Sequence, residues 1–182
     1  MALRLARTRD EAHLYMDLHP CQRCGSVEVE WKSALVDAEG ELARSYSGTC
    51  SCGAVREFVF RLPAPGSVPA SGDRYHFGGD QPSELLDAGE WLWVADLTAS
   101  DVPADDPTAG LNALSIAVAA MNEILKFIPA GAETVPDEAF WSERGRRVRD
   151  QEPGRFDRER LLVVRDSYWS SLAERRAGGD GS

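Results

Sequence analysis

Cys21-Gln22-Arg23-Cys24-Gly25 and Cys50-Ser51-Cys52-Gly53 contain every cysteine in the chain. Thiols this close together on a tight turn can both reach one cation. Two such turns supply the four thiolates that zinc takes in a structural site. A glycine follows each pair, where a turn of this kind often demands a positive φ. Residues 25–49 lie between the pairs, enough for a two-stranded hairpin that brings the second pair back beside the first. The pattern predicts one zinc ion held by Cys21, Cys24, Cys50 and Cys52. Four thiolates leave no open position for water, so the expected role is structural, and no catalytic residue is assigned. The ion should stabilise a unit too small to fold on its own core. His19, two residues before Cys21, could replace one thiolate but reads first as a helix-end histidine.

The elements that must place these turns are legible on either side. Thr8 to Glu11 fits a capping box and should open a helix through about Leu18, which Pro20 closes. From Val27 the period changes to two: Val27, Val29 and Trp31 alternate with Glu28, Glu30 and Lys32, as in a strand with one buried face. Asp37-Ala38-Glu39-Gly40 is a turn, and Leu42 to Thr49 should run back as a second strand. Ala54 to Leu62 should form a third, with Phe58, Phe60 and Leu62 on one face and Val59 on the other. Residues 63–80, rich in proline and glycine, read as a linker or surface loop.

Helices are expected beyond it. Asp87 with Glu90 should cap one that contains Trp91 and Trp93, although a buried strand would also explain that apolar run. Asp106-Pro107 opens the clearest helix, because proline suits the first helical position. Its stripe of Leu111, Leu114, Val118, Met121, Leu125 and Ile128 should face a core, and Pro129 ends it. Another helix is expected from Pro136 through Phe140 and Trp141, and a last one from Asp157 with Leu161, Val164, Tyr168 and Leu172 on one face. The fold class is α+β: a three-stranded antiparallel zinc ribbon, then a bundle of about four helices. The divisions are 1–62 for the first helix and ribbon, 63–80 for the linker, 81–177 for the helices and 178–182 for a disordered tail.

With CxxCG first and CxCG second, residues 20–62 resemble a zinc ribbon, although the second knuckle has one residue between its cysteines where the ribbon pattern has two. The resemblance implies a zinc site of four cysteines on a small antiparallel sheet. Separately, Gly48 to Arg56 is similar to the GxCxCGxVR opening of the glutathione-dependent formaldehyde-activating family, zinc-containing carbon–sulfur lyases. That likeness is local. The family's further cysteines follow the motif, whereas here the other pair precedes it.

Net charge is −10, distributed as −1 over residues 1–62, −11 over residues 63–140 and +2 over residues 141–182. So acidic a middle segment disfavours nucleic acid, whose binders place Lys and Arg against phosphates. It suits a solvated surface, or one that steers a basic protein partner. The stretch from Asp73 to Asp106 is the expected contact surface, and an exposed Trp91–Trp93 pair would be a hot spot on it. Antitoxins and immunity proteins supply an analogy for such a role. The competing readings are a thiol- or zinc-dependent enzyme, a redox-sensing zinc switch, and a ribbon that binds nucleic acid. The uncharged stretch from Pro107 to Asn122 is shorter than the roughly 20 apolar residues of a spanning helix, and no apolar leader follows the basic N-terminus. The expectation is a cytoplasmic protein, where cysteine sets are more often metal ligands than disulfides. His76 is a weak catalytic candidate, and Arg144, Arg146, Arg147 and Arg149 read as a solvated helix face.

Overall fold

A computed structural model describes residues 3–64, 66, 75–103 and 105–179. In chain order it contains α1 (Arg9–Leu18), β1 (Lys32–Ala38), β2 (Glu41–Thr49), β3 (Val55–Arg61), α2 (Ala88–Ser100), α3 (Pro107–Leu125), α4 (Glu143–Gln151) and α5 (Arg158–Gly179). Short 3₁₀ turns occupy Asp137–Ala139 and Pro153–Phe156. The expected α+β arrangement is present: one helix, a three-stranded antiparallel sheet in the order β1-β2-β3, then four helices. Two compact units divide the chain. The first is Met1–Ala70 with Phe77–Gly79 and Ser83–Leu85; the second is Ser71–His76, Asp80–Pro82 and Leu86–Ser182. Half of the linker expected at 63–80 and the end of the tail expected at 178–182 lie outside the described residues, while α5 continues to Gly179.

In the first unit, Thr8 caps α1 by accepting the Glu11 N–H at 3.1 Å. The expected box closes differently, because Glu11 reaches one residue further back. Its carboxylate accepts from the Arg7 backbone N–H (2.7 Å), Arg7 Nε (3.0 Å) and Nη2 (2.6 Å), and the Ser83 hydroxyl (2.6 Å). Glu11 is wholly buried. Burial pushes its carboxyl up, and the Arg7 and Ser83 bonds oppose that by favouring the ionised form.

The β1–β2 hairpin turns on Glu39 (φ 56°) and Gly40 (φ 86°), with Ala38 paired to Glu41. Two consecutive positive φ values in a two-residue loop match the right-handed twist of the strands it joins. Asp37 Oδ1 accepts the Gly40 N–H at 3.1 Å and holds the turn. One sheet face packs on α1 through rings: Tyr15 meets Phe58 and Phe60 edge-on, and His13 meets Tyr46. Arg4 and Ala6 add backbone bonds to Arg61, a short parallel extension beside β3.

The first strand starts later than the alternation suggested. Residues 27–31 carry no ladder, and pairing begins at Lys32 with Ser47. The segment instead runs so close to Gly48 that a Cβ there would overlap Val29 and lie 2.8 Å from the Glu30 carbonyl oxygen. Trp31 packs edge-on against Phe58 at 5.6 Å. Val29 and Trp31 of the alternation therefore pack beside the sheet without pairing within it, and Val27 is exposed.

In the second unit, Asp87 and Glu90 form the full capping box of α2, which settles the helix-or-strand question for Trp91 to Ala95. Asp106 caps α3 by accepting the Ala109 N–H at 2.9 Å, with Pro107 in the first position. The α3 stripe is a core contact as expected: Leu114 and Val118 pack with Leu172 of α5, flanked by Val102, Leu111 and Tyr168. By length and composition α3 could cross a membrane, yet half of its apolar window is buried inside the protein. The helix expected from Pro136 is broken. Pro136 opens only a 3₁₀ turn, Phe140 is buried against Phe156 with ring centroids 4.7 Å apart, and Ser142 caps α4 afresh. The α2–α4 contact needs its two glycines. A Cβ on Gly89 would strike the Gly145 backbone, and one on Gly145 would strike the Asp87 carboxylate.

Candidate metal centre

Each cysteine pair sits on a small hydrogen-bonded knuckle. In the first, Cys21 N–H donates to Ser26 C=O (2.9 Å) and Gly25 N–H to Cys21 C=O (2.7 Å). In the second, Cys50 N–H donates to Ala54 C=O (2.9 Å) and Gly53 N–H to Cys50 C=O (2.8 Å). The two knuckles thus share one plan, and the shorter second one closes its turn one residue sooner. Gly25 (φ 75°) and Gly53 (φ 82°) take the left-handed conformation the sequence required of them. The ladder between β2 and β3 fixes the second knuckle, since Thr49 pairs with Val55 across it.

The four sulfurs all lie within 4.8 Å of one another and could hold a metal ion. Cys21 Sγ stands 3.7 Å from Cys52 Sγ, and Cys24 Sγ 3.4 Å from Cys50 Sγ. Thiolates about 2.3 Å from a tetrahedral ion stand about 3.8 Å apart, so the spacing fits such an ion. Cys21 and Cys50 are buried, Cys52 is half-buried and Cys24 is exposed.

The thiols are not equivalent. The Cys52 N–H, then the Cys24 thiol, favour the Cys50 thiolate and lower its pKa to about 6. Backbone N–H groups of Arg23 and Cys24 lower Cys21 in the same way. Cys24 accepts from the Ser26 N–H, which favours its thiolate, but the neighbouring sulfurs, Cys50 first, outweigh that and raise it to about 12. Four thiolates at this spacing repel one another, and a divalent cation is what relieves the repulsion.

Arginines brace the site in ways the sequence did not announce. Arg23 Nη1 donates to the Cys52 carbonyl at 3.2 Å and so links the two knuckles. Arg56, only 8% exposed, donates from Nη2 to the carbonyls of Met16 (3.3 Å) and His19, tying the end of α1 to β3. Its guanidinium also lies over the rings of Trp31 (5.1 Å) and Phe58 (5.6 Å). Arg56 ends the GxCxCGxVR stretch, so in this chain that position serves the fold. His19 caps α1; its Nδ1 pairs with the Tyr15 carbonyl at 2.7 Å, and it does not belong to the sulfur cluster.

Other expected features are rearranged. Trp91 is wholly buried, so it cannot form an exposed pair with Trp93; Trp93 instead lies under the Arg144 guanidinium at 4.6 Å. Asp87 and Glu90 are buried caps, and Asp96 forms a bidentate pair with Arg155 (2.6 and 2.7 Å), which removes three carboxylates from the expected acidic surface. Asp73 lies outside the described residues, whereas Asp80, Asp101, Asp105 and Asp106 are exposed. Of the arginine run of α4, Arg146 and Arg147 are exposed, Arg147 pairing with Glu143, whereas Arg144 and Arg149 are half-buried over Trp93 and Phe140, Arg149 also pairing with Asp137. No family model matches the chain, nor does any curated protein or solved structure.

Proposed function

We propose that the chain is a zinc-scaffolded module that binds a basic protein partner in a reducing compartment, with the ion shaping the sheet unit and not taking part in chemistry. The clustering of four sulfurs within 4.8 Å carries this reading. An all-thiolate tetrahedral set suits zinc or iron, and the zinc-ribbon spacing of the knuckles favours zinc. Filling the shell with protein ligands leaves the metal nothing to activate. The partner's charge follows from the exposed carboxylates Asp80, Asp101 and Asp105 within a segment of net charge −11.

Metal analysis with thiol titration tests the scaffold. The expected result is one zinc per chain and four thiols masked until the metal is removed. A thiol that reacts readily while zinc stays bound would favour a thiol enzyme or redox switch instead. The partner, once captured by cross-linking and purified, should associate more slowly with an Asp101→Lys, Asp105→Lys variant at low salt. Equal on-rates would remove the acidic-face reading. Asp106 is left intact because its carboxylate caps α3.

A further inference from the structure

A second feature of the sheet unit points to a ligand and owes nothing to the sulfur cluster. A groove of about 510 Å³ opens between the first turn of α1 and the sheet face that α1 packs against. Its volume falls within the range of small-molecule sites. One part of its lining is apolar, with Leu42, Phe60 and Leu62. Another part carries Arg9, Arg44 and Tyr46, and among the described residues no aspartate or glutamate lines it. In a chain of net charge −10 that is an unusual local balance.

The cations there are not consumed by the fold. Among the described residues neither Arg9 nor Arg44 pairs with a carboxylate; Arg9 Nε donates only to His13 Nε2 at 3.4 Å. Tyr46 is 3% exposed, yet its phenol has no hydrogen-bond partner among the described residues. The ring is buried but the hydroxyl is not among the buried atoms left without a partner, so it opens to the solvent of the groove, where a ligand can meet it. Burial raises the Tyr46 phenol, and the charges of Arg44 and Arg9 both oppose that rise, so both guanidinium groups bear on the same spot.

We propose that this groove binds a small organic monocarboxylate, its apolar body against Leu42, Phe60 and Leu62 and its carboxylate held by Arg9, Arg44 and the Tyr46 hydroxyl. The planar guanidinium fork matches a carboxylate, and the phenol supplies a third donor. A mineral anion would satisfy the arginines but leave the apolar wall wet, whereas a neutral lipid would leave two cations and a phenol unpaired.

The test uses the full-length, metal-loaded protein labelled for amide NMR, titrated with octanoate, octan-1-ol and inorganic phosphate in turn. Octanoate should give saturable shifts at Arg9, Arg44, Tyr46 and Phe60 in the millimolar range or below. Octan-1-ol and phosphate should leave these amides nearly unmoved. Arg44→Gln should weaken octanoate by about tenfold or more, as loss of a charge-assisted pair implies. If that variant misfolds, exposed Arg9→Gln gives the same reading. The proposal is overturned if octanoate produces no saturable shift, if either control binds as well as octanoate, or if a folded arginine variant binds it as the parent does.

Discussion

Trp91, Leu92, Met121, Ile124, Leu161 and Leu172 of the helical unit are almost wholly hidden, whereas no residue of β1 in the sheet unit is buried. The helical unit closes on ordinary apolar packing, with α3 against α2 and α5 and glycines where α2 meets α4. The sheet unit has a ring cluster around Tyr15, Tyr46, Phe58 and Phe60, one buried Arg7–Glu11–Ser83 network, and exposed Leu35, Val55 and Val59. Its core lies on the α1 side, with Met16, Tyr46 and Phe60 buried, and the two sulfur-bearing knuckles stand where a metal ion could add a second source of stability. On the proposed reading, burial alone holds the helical unit, whereas the sheet unit combines burial with a coordinated ion.

That contrast breaks most sharply on a ligand cysteine. Cys50→Ser should abolish tight metal binding, which in structural zinc units is worth about 10–16 kcal/mol. Circular dichroism and amide NMR should then show the sheet lost and α2 to α5 retained. Next in size is Leu172→Ala in α5. Truncating a buried leucine costs about 2–5 kcal/mol, so the melting temperature of the helices should fall while zinc stoichiometry stays unchanged.

The third effect is on pH. Cys24, raised to about 12, is protonated in the metal-free protein at neutral pH and must lose its proton to bind. Zinc affinity should therefore rise at least tenfold, about 1.4 kcal/mol, per pH unit through the neutral range. Cys50, already a thiolate above about 6, adds no further proton to the count there. A competition titration with a chelator of known proton dependence would measure the slope, and a flat profile would contradict the thiol assignment. Smallest is Asp106→Ala, which removes the α3 cap and should lower helical stability by about 1 kcal/mol in chemical denaturation, with no change in metal affinity.

Features that depend on local chemistry were legible in the sequence. Asp87 with Glu90, and Asp106 with Pro107, announce their helices because capping involves neighbours three residues apart. The cysteine turns were legible for the same reason, as was the α3 stripe. Distant partners were not. The alternation of Val27, Val29 and Trp31 looks like pairing, but Val29 and Trp31 meet Gly48 and Phe58 from the side and Val27 is exposed. Glu11 fits a capping box by spacing, yet it turns to Arg7 and to Ser83, a residue 72 positions away. Charge counting placed Asp96 on the acidic surface, and only the folded contacts reveal that it is spent on Arg155. The helix expected from Pro136 failed because burial of Phe140 against Phe156 bends the chain away before Ser142 can cap α4.

Amide hydrogen exchange before and after chelation bears most directly on the division of labour between the units. With zinc bound at one per chain, the β2–β3 ladder and the cores of α3 and α5 should all be protected. After chelation, protection should vanish from Ser45 to Arg61 and persist in α3 and α5. Undiminished protection of β2 and β3 in metal-free protein would contradict the account.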